Sequence, residues 1–221
     1  IAAERNAPNR LDHLRAGRYR GIIFINFLLA ARVTIQLDSY RELYPRYLHR
    51  RIVAIPNPVS QISKLAQPGG GDSETKILLF VGHLSYQKNP EALVKAFSML
   101  AGDFPDWMLH MVGNGEYQNR LEKKVSELWF AERVRFLGVF TDIESVYQQA
   151  NLFCLPSLWE GFPNALAEAL AHGLPAVGFS ECAGVNTLIQ PGINGLLAPG
   201  NNDPQTLAGA LRELMASPQL R

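Results

Sequence analysis

Residues 156–169, reading PSLWEGFPNALAEA, hold two carboxylates, Glu160 and Glu168, at a spacing that can do chemistry. Glu160 stands in a loop after the apolar run 152–155, and Glu168 stands about one turn into a helix that opens near Asn164. Both can therefore face one crevice, where a carboxylate accepts hydrogen bonds from a ribose or from a sugar ring. Backbone N–H groups over Gly161, Phe162, Pro163, Asn164 and Ala165 fall at the start of that helix, where the dipole favours an anion. The plain alternative is a solvated helix residue and a loop charge. Against it, Glu168 is flanked by Ala165, Leu166, Ala169 and Leu170, and a carboxylate among apolar neighbours needs a partner.

Two further segments carry glycines at strand ends. Gly82-His83-Leu84-Ser85-Tyr86-Gln87-Lys88 follows an apolar run and leads into Asn89-Pro90, a helix start, so Lys88 lies beside backbone donors that suit a phosphate. A lysine in such a loop is also an ordinary solvated side chain. Gly113-Asn114-Gly115 is half of a dinucleotide fingerprint, with no acidic residue closing the next strand, so a tight turn and a ligand contact remain equally open. The sequence has no Asp-x-Asp pair and no His/Cys cluster, so no metal is expected.

These segments must be held by regular elements. Apolar runs at 76–81, 107–112, 134–137, 152–155, 176–179 and 195–198 read as strands. Between them 89–100, 117–128, 142–149, 164–172 and 185–189 read as helices, and Asp203-Pro204 opens a last one; Asn89, Asp142 and Asp203 stand at cap positions. Alternation repeated about six times predicts an α/β fold, a Rossmann-like parallel sheet with helices on both faces, whose ligands bind beyond the carboxyl ends of the strands. Residues 67–74 are polar and glycine-rich and mark a boundary. The division expected is 1–66, the tail of a preceding domain; 67–75, a linker; and 76–221, a domain with its own core. Within 1–66 the pattern predicts strands at 33–37 and 52–55 and a helix over 39–48; residues 6–20 are polar and basic.

Composition narrows the function. The chain has 221 residues, 47% hydrophobic and 19% charged, which is globular and excludes a largely disordered chain. A net charge of +1 gives no sign of nucleic acid. Cys154 and Cys182 form no disulfide framework, which favours a reducing compartment. The longest apolar stretch, 21–31, is far short of the ~20 residues of a membrane span. Residue 1 is Ile and no signal peptide is visible, so the chain reads as an excised part of a longer protein.

Taken in order, the 82–88 segment, Gly113-Asn114-Gly115, Phe136-Leu137-Gly138, Glu160-x7-Glu168, Ala171-His172-Gly173-Leu174-Pro175 and Gly192-x-Asn194-Gly195 resemble the retaining glycosyltransferases of family 4, which have the GT-B fold. The resemblance covers 76–221 and extends to Ala3-Glu4-Arg5-Asn6-Ala7-Pro8 and Ile55-Pro56-Asn57-Pro58-Val59, which look like late elements of the family's first domain.

It implies that 76–221 is the C-terminal half of a GT-B fold and binds a nucleotide-diphosphate sugar, with UDP the expected nucleotide. Lys88 would neutralise the diphosphate and Glu160 would contact the donor sugar, the two catalytic assignments. Glu168 would bind the ribose, and Leu137 and Gly138 would lie against the base. Gly82, His83, Gly113 and the stretch Gly161, Phe162, Pro163, Asn164 and Ala165 would complete the donor site. No metal or cofactor is implied. The acceptor would be a glycan or lipid-linked sugar held by the first domain, in the cytoplasm, with the full-length protein peripheral to the inner face of the membrane. Two positions depart from the family: His83 stands where an arginine is usual, and Thr187 where a glutamate is frequent. A non-catalytic nucleotide-sugar-binding module is the alternative. An epimerase or phosphorylase lacks its expected signatures, and a dehydrogenase lacks the full fingerprint.

Overall fold

The computed structural model describes residues 1–5, 20–69 and 75–218. Residues 6–19, most of the basic 6–20 segment and including Asn6, Ala7 and Pro8, lie outside the described residues, as do 70–74 of the glycine-rich stretch and 219–221.

The larger sheet has six strands: β4 (Lys76–Val81), β5 (Trp107–Val112), β6 (Val134–Gly138), β7 (Leu152–Leu155), β8 (Ala176–Phe179) and β9 (Gly195–Ala198). All are parallel, in the order β6-β5-β4-β7-β8-β9. β7 and β8 are buried along their whole length, because helices cover both faces of the sheet. The helices Pro90–Leu100, Gln118–Ser126, Ile143–Gln149, Asn164–Ala171, Val185–Leu188 and Pro204–Ala216 make the crossovers and the end of the chain, so the alternating α/β architecture expected from the sequence is the architecture found. Its core centres on Leu78, Leu79, Phe80, Phe97, Trp107 and Phe153, all fully buried. Each such side chain contributes about 1.5–3 kcal/mol by leaving water.

A second, three-stranded parallel sheet holds β1 (Ala2–Ala3), β2 (Val33–Ile35) and β3 (Ile52–Ala54) in that order. Its separate small core contains Val33, Ile35, Tyr40 and Leu48. The helix expected over 39–48 is instead two 3-10 turns, Asp38–Leu43 and Arg46–Arg51. Pro45 is the reason: it disfavours the helical region for Tyr44, which is extended at ψ 152°, and it has no N–H to give. A second correction concerns Asn89. It sits at the cap position with φ 51° and makes no capping bond, its Nδ2 donating instead to Asn202 Oδ1. Asp142 and Asp203 do cap, through Ser145 N and Gln205 N.

Candidate functional site

The sheet order reverses between β4 and β7, which pair through Leu78 with Leu152 and Leu79 with Phe153. Crossovers leave this point in opposite directions, opening a crevice at the strand carboxyl ends. The loops after β4 and β7 therefore emerge side by side. They are stitched by Leu158 N to Gln87 O and Gln87 Nε2 to Trp159 O, each 2.8 Å. This stitching brings Lys88 Nζ to Glu160 Oε1 at 2.5 Å, where Ser157 Oγ also donates at 2.6 Å. The Glu160 side chain is 4% exposed and that of Lys88 21%. A buried carboxylate so held is a fixed acceptor whose charge is matched on one oxygen.

Tyr40 reaches the same loop from the smaller sheet, its hydroxyl donating to Glu160 O at 2.7 Å. Burial, followed by the neighbouring Cys182 and the Glu160 carboxylate, pushes the Tyr40 phenol far above its ordinary range, so it stays a donor. Gly184, at φ 88°, packs against it: a Cβ there would lie 2.6 Å from the Tyr40 oxygen. No local pattern marks Tyr40 as part of this site.

Glu168 is turned to another partner. Tyr147 Oη donates to Glu168 Oε2 at 2.9 Å and approaches Ala165 O at 3.2 Å, while the Tyr147 ring stacks on His172 at 4.9 Å. Burial and then the Glu168 charge raise the Tyr147 phenol far above its usual range. The partner that apolar neighbours demanded for Glu168 is thus a neutral phenol one helix away.

Two open cavities lie at these strand carboxyl ends. One, of about 430 Å³, is lined by Gln87, Glu160, Gly161, Phe162 and Asn164 from the large sheet's loops and by Arg5, Gln36 and Asn57, which follow β1, β2 and β3. Gln36 Nε2 donates to Asn57 Oδ1 and Asn57 Nδ2 to Asn164 Oδ1, both 2.7 Å; Gln36 Oε1 is buried without a partner among the described residues. The other cavity, of about 300 Å³, includes Gly82, His83, Gly113, Asn114, Val139 and Phe140. Its lining passes to Val139 and Phe140 rather than to Leu137 and Gly138, which end β6. Gly113 is required by the backbone itself: at φ 127° its added Cβ would meet Gly82 O at 2.0 Å, so Gly-x-Gly here serves strand packing as well as the cavity wall. His83 Nε2 faces Glu116 Oε2 at 3.1 Å, both exposed, and Thr187 Oγ1 meets Ser39 Oγ at 3.1 Å. A third cavity, at the amino ends of β8 and β9 around Leu174 and Gly195, has no part in this crevice. Among the described residues no group of three His, Cys, Asp or Glu side chains is placed to hold a metal.

Residues 61–221 match the family described as Glycosyl transferases group 1. The chain belongs to this family. It is 36% identical over 168 residues to an uncharacterized glycosyltransferase of Haemophilus influenzae, covering 76% of this chain and 46% of the relative. It is 32% identical over 174 residues to a UDP-Gal:alpha-D-GlcNAc-diphosphoundecaprenol alpha-1,3-galactosyltransferase of Escherichia coli, covering 73% and 44%. The chain spans about half the length of the curated relatives it matches. Among solved structures it is similar to the apo lipopolysaccharide outer core galactosyltransferase WaaB, with a TM-score of 0.74, 25% identity, and coverage of 93% of this chain and 57% of that one. A complex of Anabaena HepE with UDP and glucose shares the fold alone: TM-score 0.79, 18% identity, 99% of this chain and 62% of that one. The six-stranded sheet of this group 1 chain is that of the GT-B glycosyltransferases.

Proposed function

We propose that this chain is the donor-side part of a glycosyltransferase that takes a sugar from a nucleotide-diphosphate sugar and passes it, with retention of anomeric configuration, to a glycan or lipid-linked acceptor. The observation that carries the reading is the buried Lys88–Glu160 pair at the reversal of strand order. In this reading Lys88 turns to the diphosphate as charge develops on the leaving group, and Glu160 is released to accept from the donor sugar's hydroxyls. Preorganised cations aimed at developing charge typically contribute a few kcal/mol each. Glu168, already oriented by Tyr147, accepts from the ribose, and the base lies in the cavity walled by Gly82, Gly113, Val139 and Phe140. UDP is favoured by the name of the E. coli relative, as is a setting in surface-glycan assembly. The protein would work in the cytoplasm at the inner face of the membrane; among the described residues no helix is long and apolar enough to cross it. The same proposal assigns 1–66 to the end of an acceptor-side domain, 67–75 to a linker and 76–221 to the donor domain, supported by two sheets with separate cores.

Donor binding and turnover make different demands. Holding an acceptor against the anomeric carbon can account for ~7–11 kcal/mol of barrier lowering. This chain by itself should therefore bind donor weakly and transfer nothing at a useful rate. Calorimetric titration with UDP-, GDP- and ADP-sugars tests the reading: a UDP-sugar should give saturable heat that Glu168→Gln diminishes. Absence of heat with all three nucleotide sugars would reject it. A non-catalytic binding module is the second reading, favoured by the engagement of His83 with Glu116. Transfer by the full-length protein would exclude that second reading.

A further inference from the structure

The charges around the proposed donor site do not sum to an anion site. Lys88 is matched by Glu160, His83 faces Glu116, and Glu168 is held by a neutral phenol. Three carboxylates thus stand against one ammonium and one imidazole. A diphosphate brings at least two further negative charges, which the backbone donors at the start of the Asn164–Ala171 helix offset in part and a further cation would match.

The smaller sheet supplies one. Arg5, two residues past β1, lines the cavity that Glu160, Gly161 and Asn164 line from the other side. It is exposed, and no ion pair holds it among the described residues, whereas Arg41 and Arg51 are bonded to the carbonyls of His49 and Ala30. The amide chain in the same cavity has a direction. Each amide donates toward the large sheet, Gln36 to Asn57 and Asn57 to Asn164. The chain therefore ends on the Asn164 NH2 group, which has no acceptor among the described residues. A guanidinium and an amide donor lining one cavity are the donor types that bind a phosphate oxyanion.

We infer that Arg5 and the Asn164 side-chain amide form a phosphate-binding subsite facing Glu160. It takes a phosphate of the donor's diphosphate or a phosphate borne by the acceptor. The inference rests on the donor-site reading above and names the cation that reading lacks.

The test uses the full chain as wild type, Arg5→Ala and Arg5→Lys, titrated calorimetrically with UDP, uridine and farnesyl diphosphate, a soluble isoprenyl diphosphate. Arg5→Ala should weaken binding of a diphosphate ligand about tenfold, the scale of one charge-assisted hydrogen bond, and leave uridine unaffected. Arg5→Lys should recover part of the loss, and the difference between wild type and Arg5→Ala should shrink as salt is raised. A loss confined to UDP assigns the subsite to the donor; a loss confined to farnesyl diphosphate assigns it to the acceptor. If wild type binds UDP and Arg5→Ala binds both diphosphates equally well, the subsite is refuted and the donor site stands. If wild type binds neither UDP nor farnesyl diphosphate, both readings fall.

Discussion

Replacing Lys88 by Met tests how the crevice is held together before any ligand arrives. The ammonium lies 2.5 Å from Glu160 Oε1, the carboxylate is 4% exposed, and among the described residues one other side chain, Ser157, donates to it. Removing one partner of a buried pair typically costs about 3–5 kcal/mol, because the remaining charge keeps its desolvation penalty. Here the Lys88 side chain is 21% exposed, so water can reach the vacated volume. The expected loss is therefore smaller, ~2–3 kcal/mol. Lys88→Met with Glu160→Gln replaces both charges by neutral groups of similar shape, and Ser157 can still donate to the amide oxygen. The double variant should lose only about 1 kcal/mol, ~1–2 kcal/mol less than Lys88→Met alone. Urea unfolding followed by tryptophan fluorescence measures all four proteins of the cycle. Equal destabilisation of the Lys88 single variant and the double variant would refute the reasoning, since Glu160 would then not depend on the lysine.

Tyr147→Phe removes the donor to Glu168 Oε2; we expect UDP to bind about threefold more weakly and to be less well distinguished from 2′-deoxy-UDP, and an unchanged ratio would reject the positioning role. Gly184→Ala forces a Cβ to 2.6 Å from the Tyr40 oxygen at φ 88°, so it should cost roughly 2–4 kcal/mol in a urea melt; Tyr40→Phe in the same chain should recover part of this, and a neutral Gly184→Ala would show that the loop yields freely. The thiols of Cys154 and Cys182 are both fully buried, and burial pushes both well above the ordinary thiol range, so neither should react with a thiol reagent at neutral pH until the protein unfolds; rapid labelling of the folded chain would contradict that burial.

Much of the donor half is legible in the sequence because its signals are local. Apolar runs closed by glycine mark β4 and β5 within a residue or two, since a strand packed between helices needs a largely apolar stretch. Alternation with helices then forces parallel pairing, as no short turn can join parallel neighbours. The smaller sheet is less legible. Its strands are two or three residues long, and the 39–48 segment has helical periodicity that Pro45 overrides.

The candidate site divides along the same line. Sequence by itself determined the residue types, Lys88, Glu160 and Glu168, and that each follows a strand, because spacing along the chain is enough for that. Only the tertiary structure decided their partners. Lys88 and Glu160 are 72 residues apart and meet because β4 and β7 pair at the reversal of the sheet; Tyr40 reaches Glu160 across 120 residues. The two glutamates, eight positions apart in one motif, end on different partners, since the loop of one faces β4 while the helix of the other packs by Tyr147. Arg5, in a stretch that the sequence marks only as a late element of the family's first domain, enters the cavity from just past β1. Such contacts are set by strand order and by the direction of crossovers. Local periodicity records whether a strand forms and not which neighbour it takes, so these pairings come from the packed chain alone.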